Sequence, residues 1–292
     1  MGLTDLLFHR RRREAEARRR VLGVLQPVMP DHIISIELLN PRRRNSFQIK
    51  TKQGTFKAFF CQSSAEANLV AQLLEALGPK GEGVTPGVFL QRGALLVSPW
   101  VEGQPLGARL AIDRERDLLY LLRQVHGASI PLVDGGRKIS GSPYIPMLCD
   151  RLLRAQYLLG QTKVLDLRES LIQLEPREAR PSVLHLDLTV GNVVISPSGQ
   201  ALIIDNEALS IGNGRAFDAW HAADSIFSLK KPDKMINFVC KYDQLAPGSK
   251  AVEYASYWLG VCWAKKALKS LESGRLIKGR RALERARRII SA

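Results

Sequence analysis

Hydrophobic and polar positions change period along the chain. Between residues 32 and 60 they read as strands: Ile33 to Leu39, Ser46 to Lys52 (SFQIKTK, alternating) and Thr55 to Phe60 (TFKAFF). A period of two belongs to strands with one buried face, and Gln53-Gly54 between the last two runs predicts a hairpin turn. From Ser63 the period lengthens. Leu69, Val70, Leu73, Leu74 and Leu77 recur at three- and four-residue spacing, which predicts a helix over Ser63 to Leu77 capped by Ser63 or Ser64. A Gly/Pro-rich link, Gly78 to Gly87, leads to two more strands, Val88 to Leu90 and Ala94 to Ser98. Helical spacing then dominates, over Arg114 to His126, Tyr144 to Leu159, Asp166 to Leu174, Lys234 to Tyr242, Val252 to Leu271 and Lys278 to Ile290. One stretch breaks that rhythm. Val193 to Ile195 and Ala201 to Ile204 are short apolar runs around the turn Ser196-Pro197-Ser198-Gly199, and they predict a buried hairpin. The fold class that follows is α+β, with an antiparallel N-terminal part and a mostly helical remainder.

The predicted hairpin carries the chemistry. Leu184 to Glu207 reads LHLDLTVGNVVISPSGQALIIDNE. Asp187 and Asn192 lie on the loop entering the ribbon and Asp205 on the chain leaving it, so the three side chains are expected to converge at one end. Asp187 can accept the proton of an attacking hydroxyl. Asn192 and Asp205 offer the oxygen ligands that magnesium takes when it bridges nucleotide phosphates. An Asx-rich turn between buried strands would account for H-x-D alone. The full order H-x-D-x-x-x-x-N, hairpin, I-I-D is much rarer by chance.

This stretch resembles the catalytic segment of the aminoglycoside phosphotransferase and choline kinase family, the small-molecule branch of the protein-kinase-like fold. The family pattern is H-G-D-x-x-x-x-N followed by I-D-[FW]-E; here Leu186 stands at the glycine and Asn206 at the aromatic. The resemblance spans residues 32–270 and implies a two-lobed protein-kinase-like fold, a small antiparallel β lobe before a larger helical lobe. The expected division is a basic helical extension over 1–30, a nucleotide-binding lobe over 31–98, and a catalytic and substrate lobe over 99–292 ending in a basic helix. The implied activity is transfer of the γ-phosphoryl of ATP, with Mg2+, to a hydroxyl on a small-molecule or glycan acceptor.

Residue by residue, the resemblance makes Lys57 the lysine that neutralises nucleotide phosphates and Glu66, nine positions on, the glutamate that orients it. Asn45-Ser46 fits the family's phosphate loop, although the connection Asn40 to Asn45 has no glycine. Pro99 to Gly103 matches the hinge, which places backbone groups of Trp100 and Val101 at the adenine edge. Asp187 becomes the base with His185 in support, Asn192 and Asp205 the magnesium ligands, and Asp218, in Gly214 to Ala219, a brace for the catalytic loop. His126 closes an L-x-x-L-H-like pattern with a structural role, satisfying a backbone group. Lys57 could instead be an exposed strand lysine, but Phe56, Ala58, Phe59 and Phe60 make its strand core-like. Glu66 could simply be an acid favoured by the helix macrodipole.

Composition adds bounds. With 292 residues and 45% hydrophobic content the chain can bury a packed core. Cys61, Cys149, Cys240 and Cys262 form no C-x-x-C pair, which argues against zinc or a disulfide framework. No apolar run reaches the roughly 18–20 residues that span a bilayer, and no signal-peptide core follows the Arg-rich start. The expected location is the cytoplasm, with peripheral contact at the inner membrane surface. Charge changes the picture most: 43 Lys and Arg against 28 Asp and Glu give +15. Such an excess favours nucleotide phosphates, anionic head groups, phosphorylated glycans or nucleic acid. It concentrates at His9 to Arg13 and Arg18 to Arg20, beside an apolar patch (Leu3, Leu6, Leu7, Phe8), and on the last helix at Arg280, Arg281, Arg285, Arg287 and Arg288. The pattern predicts contact with an anionic membrane; the alternative is a solvated helix packed by its leucines on the body of the protein.

Three rival readings draw on the same residues. A nucleotide-binding pseudokinase is supported by the glycine-free phosphate loop, Leu186 and Asn206, and opposed by the intact set Lys57, Asp187, Asn192 and Asp205. A protein kinase would need an A-P-E-like segment after Asp205, which is absent. Nucleic-acid binding through the basic ends is the weakest, because no aromatic-rich basic patch accompanies them.

Overall fold

The computed structural model describes residues 15–28, 33–39, 46–78, 83–130, 142–177 and 180–291. The predicted features at Leu3 to Arg13 and the connection Asn40 to Asn45 lie outside the described residues. The chain forms two compact units, Met1–Gly103 with Ser196–Glu207, and Gln104–Ile195 with Ala208–Ala292.

In the first unit the alternating runs form strands β1 (Ile33–Leu38), β2 (Ser46–Thr51), β3 (Gly54–Phe60), β4 (Leu90–Arg92) and β5 (Leu95–Pro99), in an antiparallel sheet ordered β1-β2-β3-β5-β4. Alternation buries Phe47, Ile49, Phe56, Ala58, Leu95 and Val97 against Val21 and Leu25 of a helix over residues 15–25, α1. The Arg20 guanidinium lies 4.0 Å from the centre of the Phe60 ring, a cation–π contact that lets an exposed arginine brace its helix. The hairpin loop is Lys52-Gln53, one residue earlier than predicted, because Thr51 pairs with Gly54 and its hydroxyl accepts the Gln53 N–H at 3.1 Å. β4 begins at Leu90, two residues later than Val88.

Helix α2 (Ser64–Leu77) packs on β4 and β5 through a face that includes Val70, Leu73 and Leu74, and Ser63 caps it by accepting the Glu66 N–H at 3.1 Å. The returning segment supplies β9 (Ala201–Ile203), whose Ile203 N–H bonds Val84 O at 2.8 Å. Before it, Gly199 at φ +86° allows the turn in which its N–H returns to Ser196 O.

The second unit is helical: α3 (Ala111–Gly127), α4 (Tyr144–Arg154), α5 (Gln156–Leu159), α6 (Gln161–Gln173), α7 (Arg215–Phe227), α8 (Pro232–Leu245), α9 (Ala255–Glu272) and α10 (Leu276–Ile290). The helix predicted over Tyr144 to Leu159 breaks at Ala155 into α4 and α5. Two antiparallel pairs position the loops: β6 (Gln104–Pro105) with β8 (Val193–Ile195), and β7 (Ser182–Leu184) with β10 (Ser210–Gly212). β7 and β10 have no periodic signal at three residues each, yet they deliver the chain to His185 and to α7. Phe217, Trp220, Phe238, Tyr242 and Trp258 fill the core. Helices α9 and α10 approach closely at Gly260, where a Cβ would sit 2.2 Å from the Ile290 side chain. Among the described residues no helix is long and apolar enough to cross a membrane.

Candidate active site

In the second unit the site is built on the loop between β7 and β8. Asp218, fully buried in the first turn of α7, accepts the N–H groups of His185 and Leu186, each at 2.8 Å. It also receives His126 Nε2 at 3.1 Å, while His126 Nδ1 lies 2.6 Å from Tyr242 Oη. His126 is thus structural, but its partners are side chains rather than the predicted backbone group. Burial pushes the Asp218 carboxyl up; the hydrogen bond and charge of His126 and the loop amides outweigh that and hold it below the usual carboxylate range. The loop is therefore tied to a fixed negative charge.

That tie forces Leu186 to φ +62°, a left-handed conformation that disfavours residues with a Cβ. The strain turns the chain so that Asp187 projects its carboxylate outward, partly exposed, while His185 stays buried with Nδ1 3.3 Å from the Asp187 N–H. Asn192 closes the loop from the other side, its amide nitrogen donating to Asp187 O at 2.8 Å and Asp187 Oδ2 at 3.1 Å. Both acceptors are oxygens, so the nitrogen must face them and the amide oxygen points elsewhere.

Two residues that the sequence reading did not assign complete this half. His221 of α7 places Nε2 3.0 Å from Asp187 Oδ1, and Lys265 of α9 brings Nζ to 3.6 Å from the same oxygen and 2.6 Å from His221 Nε2. Burial raises the Asp187 carboxyl, but the His221 hydrogen bond and the Lys265 charge prevail and hold it well below the ordinary range. For His221, burial and then Lys265 keep the imidazole below its usual value, hence neutral near pH 7. Lys265 is itself lowered by burial, with Asp187 acting against that shift. The group is a carboxylate held in its charged form beside an imidazole and an ammonium, with His221 Nε2 able to donate to Asp187 or to accept from Lys265 but not both at once. His221 had a faint signal, three residues after Asp218 on the same helix face; Lys265 had none.

In the first unit, β3 presents Lys57 beside the segment that follows β9. Its Nζ lies 2.9 Å from Asp205 Oδ1, 3.1 Å from Ile204 O and 3.6 Å from Glu207 Oε1. Ser46 also bonds Glu207 Oε1. Lys57 and Asp205 are brought together as expected of neighbours in one site, but Glu66 is not brought to Lys57. Its carboxylate accepts the Gln62 N–H at 2.6 Å, at the start of α2, the macrodipole-favoured use of a first-turn acid. Glu207, with Asp205, is the carboxylate that lies beside Lys57. Burial and the carboxylates of Glu66 and Glu207 push the Cys61 thiol up to about 12, so it is unreactive at neutral pH.

At the hinge, Trp100 spends its N–H on Thr55 O at 3.0 Å, and Pro99 has none to give. Asn45 lies outside the described residues. Among those residues, no three His, Cys, Asp or Glu side chains converge as a metal cluster.

A five-stranded antiparallel sheet carrying the lysine, with a helical unit carrying the H-x-D-x-x-x-x-N loop, defines a kinase-type phosphotransferase of α+β fold. The chain belongs to the phosphotransferase enzyme family, APH, whose model matches residues 45–247. Among solved structures it is similar to the choline kinase LicA from Streptococcus pneumoniae, at 15% identity over 93% of this chain and 99% of that one, with a TM-score of 0.60. It is also similar to the aminoglycoside phosphotransferase APH(4)-Ia in ternary complex with ADP and hygromycin B, at 12% identity over 93% and 98%, TM-score 0.59. A third is a putative aminoglycoside phosphotransferase from Ralstonia eutropha jmp134, at 14% over 92% and 98%, TM-score 0.58. No curated protein sequence matches the chain.

Proposed function

We propose that the protein transfers the γ-phosphoryl group of ATP to a hydroxyl on a small-molecule or sugar acceptor, lipid-linked glycans included. The observation that carries this reading is the setting of Asp187: its carboxylate lies 3.0 Å from His221 Nε2 and 3.6 Å from Lys265 Nζ while remaining partly exposed. The acceptor hydroxyl donates to its carboxylate. As the acceptor oxygen bonds to the γ-phosphorus and the bond to the departing ADP oxygen breaks, the hydroxyl proton passes to Asp187. So weak a base abstracts the proton late, which suits a loose phosphoryl-transfer transition state that asks mainly for positioning.

Lys57 neutralises nucleotide phosphate, oriented by Glu207 rather than Glu66. By the family resemblance Mg2+ would be held by the Asp205 carboxylate and the Asn192 amide oxygen, hard oxygen ligands of the kind magnesium takes. Magnesium, when bound, offsets charge on the transferring phosphates. Val101 and the carbonyls around it are the hinge groups left for adenine, since the Trp100 N–H is already engaged. Nucleotides in the solved relatives, such as ADP in APH(4)-Ia and AMP in LicA, support ATP as donor. The charge of +15 supports an acceptor presented near an anionic surface.

The test is magnesium-dependent ATP turnover with neutral, cationic and anionic hydroxyl acceptors, for wild type and Asp187→Ala. Acceptor-stimulated turnover should fall about 10²–10⁴-fold in the variant with nucleotide affinity retained. Nucleotide binding with no acceptor-stimulated turnover in any class would favour the pseudokinase, and no nucleotide binding would end the kinase reading.

A further inference from the structure

Behind His221 and Lys265 the second unit opens into a cavity of about 760 Å³, within the ~300–1,000 Å³ usual for small-ligand sites. Eight of its fifteen lining residues are Lys or Arg, and one, Asp224, is acidic. Asp224 accepts the Leu229 N–H at 3.0 Å, and its charge also acts on His221 and Lys265. The cations come from several elements: Lys265 and Lys269 from α9, Lys278 and Arg281 from α10, Lys230 from the link between α7 and α8. Among the described residues Lys230, Lys269, Lys278 and Arg281 have no ion-pair partner. Trp263 forms part of the wall, with Arg285 4.6 Å and Lys266 4.9 Å from its ring. The first turn of α10 contains no acidic residue and Arg275 precedes it, although a helix N-terminus favours negative charge.

So many like charges around one cavity repel one another and weaken the fold, unless an anion enters. The wall also contradicts what choline or a polyamine antibiotic would need, because both are cations. We infer that this cavity is the acceptor site and that its acceptor is a phosphorylated sugar or polyol, whose free hydroxyl meets Asp187 while its existing phosphate lies among Lys269, Lys278 and Arg281. This rests on the phosphotransferase reading for the hydroxyl's fate, but not for the anion site. Asp187 does not itself line the cavity; the link between the two is His221 and Lys265, which line it and hold the Asp187 carboxylate.

The test is calorimetric binding of glucose 6-phosphate and myo-inositol hexakisphosphate to the full chain, beside glucose, choline and kanamycin. AMP-PNP is titrated separately. Both phosphorylated probes should bind, and the other three should bind at least about tenfold more weakly, the scale of one charge-assisted contact. Lys269→Glu with Arg281→Glu should lower affinity for the phosphorylated probes by at least about tenfold and leave AMP-PNP affinity unchanged. If that pair does not fold by circular dichroism, Lys269→Gln with Arg281→Gln gives the same readout. Equal binding of phosphorylated probes by wild type and variants overturns the inference, as does preference for choline or kanamycin. Variant-sensitive retention on phosphatidylserine vesicles with no binding of soluble phosphates also overturns it, replacing an acceptor pocket with a membrane-facing patch. Phosphate binding that needs Lys269 and Arg281 in a protein that fails to bind AMP-PNP leaves the pocket standing and removes the kinase reading instead.

Discussion

Leu186 and Glu66 show how single residues depart from the expected pattern without undoing it. At Leu186 the backbone amide is held by Asp218 at φ +62°, where a side chain with a Cβ costs about 1–2 kcal/mol. Leu186→Gly should therefore raise stability by about 1 kcal/mol in chemical denaturation, the strain relieved less the entropy that glycine loses. A lower midpoint would mean that Leu186 packing outweighs the strain. Glu207 and Glu66 separate by role. Glu207→Gln should weaken AMP-PNP binding about fivefold or more, since it leaves Lys57 with a single carboxylate partner, an effect of about 1 kcal/mol. Glu66→Gln should leave that affinity unchanged and cost about 0.5–1 kcal/mol of stability through the start of α2. Nucleotide titration of the two variants distinguishes them, and equal loss in both would restore Glu66 to the phosphate site.

At the scale of elements, strongly periodic runs were legible and short ones were not. The strands β2 and β3 and the helix α2 lie within a residue of their predicted bounds because alternation, capping by Ser63 and the return to a helical period are local signals. β7 and β10 are three residues each and exist because they pair with one another, which no local window contains. Helix α10 is the larger lesson. In sequence its arginines predict a basic, membrane-facing surface shared with the N-terminus; Ala282, Leu283, Ala286 and Ile290 bury one side of the helix, and Lys278, Arg281 and Arg285 line the cavity. That placement depends on Gly260. Gly260→Ala should clash with Ile290 and cost about 1–3 kcal/mol, lowering the melting temperature. Pairing it with Ile290→Ala should recover part of the loss beyond the sum of the single changes. Simple additivity would show that α9 and α10 do not meet there.

For the molecule as a whole, the buried charges set the response to acid. An unfolded imidazole takes up a proton below about 6.5, but folded His221 sits lower, so the unfolded state binds more protons and stability falls as pH falls through that range. Asp224, Asp187 and Lys265 are the charged groups around it, and Lys265 opposes its protonation. Asp187 and Asp218 act in the same direction further down. Their carboxyls are depressed from the ordinary 3.8, so the stability they contribute is complete above that value and is lost as pH drops beneath it. Melting temperatures from pH 8 to 3 should decline in two stages, and His221→Gln should remove the first. A single stage near pH 4 in wild type would show that His221 protonates freely in the fold.

The residues alone determined the α+β class, the order of the main elements and the loop His185-Leu186-Asp187 with Asn192, because those rest on periodicity and on spacings of a few residues. The tertiary structure decided which charges meet. Lys57 and Asp205 are 148 positions apart, and Asp187 and His221 are 34 apart; no local pattern records such distances. It chose Glu207 over Glu66 for Lys57, set Lys265 against Asp187, and turned a basic terminal helix into a cavity wall. Side chains far apart in sequence are paired by packing of the backbone that carries them, and the energy of that packing comes from the apolar positions rather than from the charges it brings together.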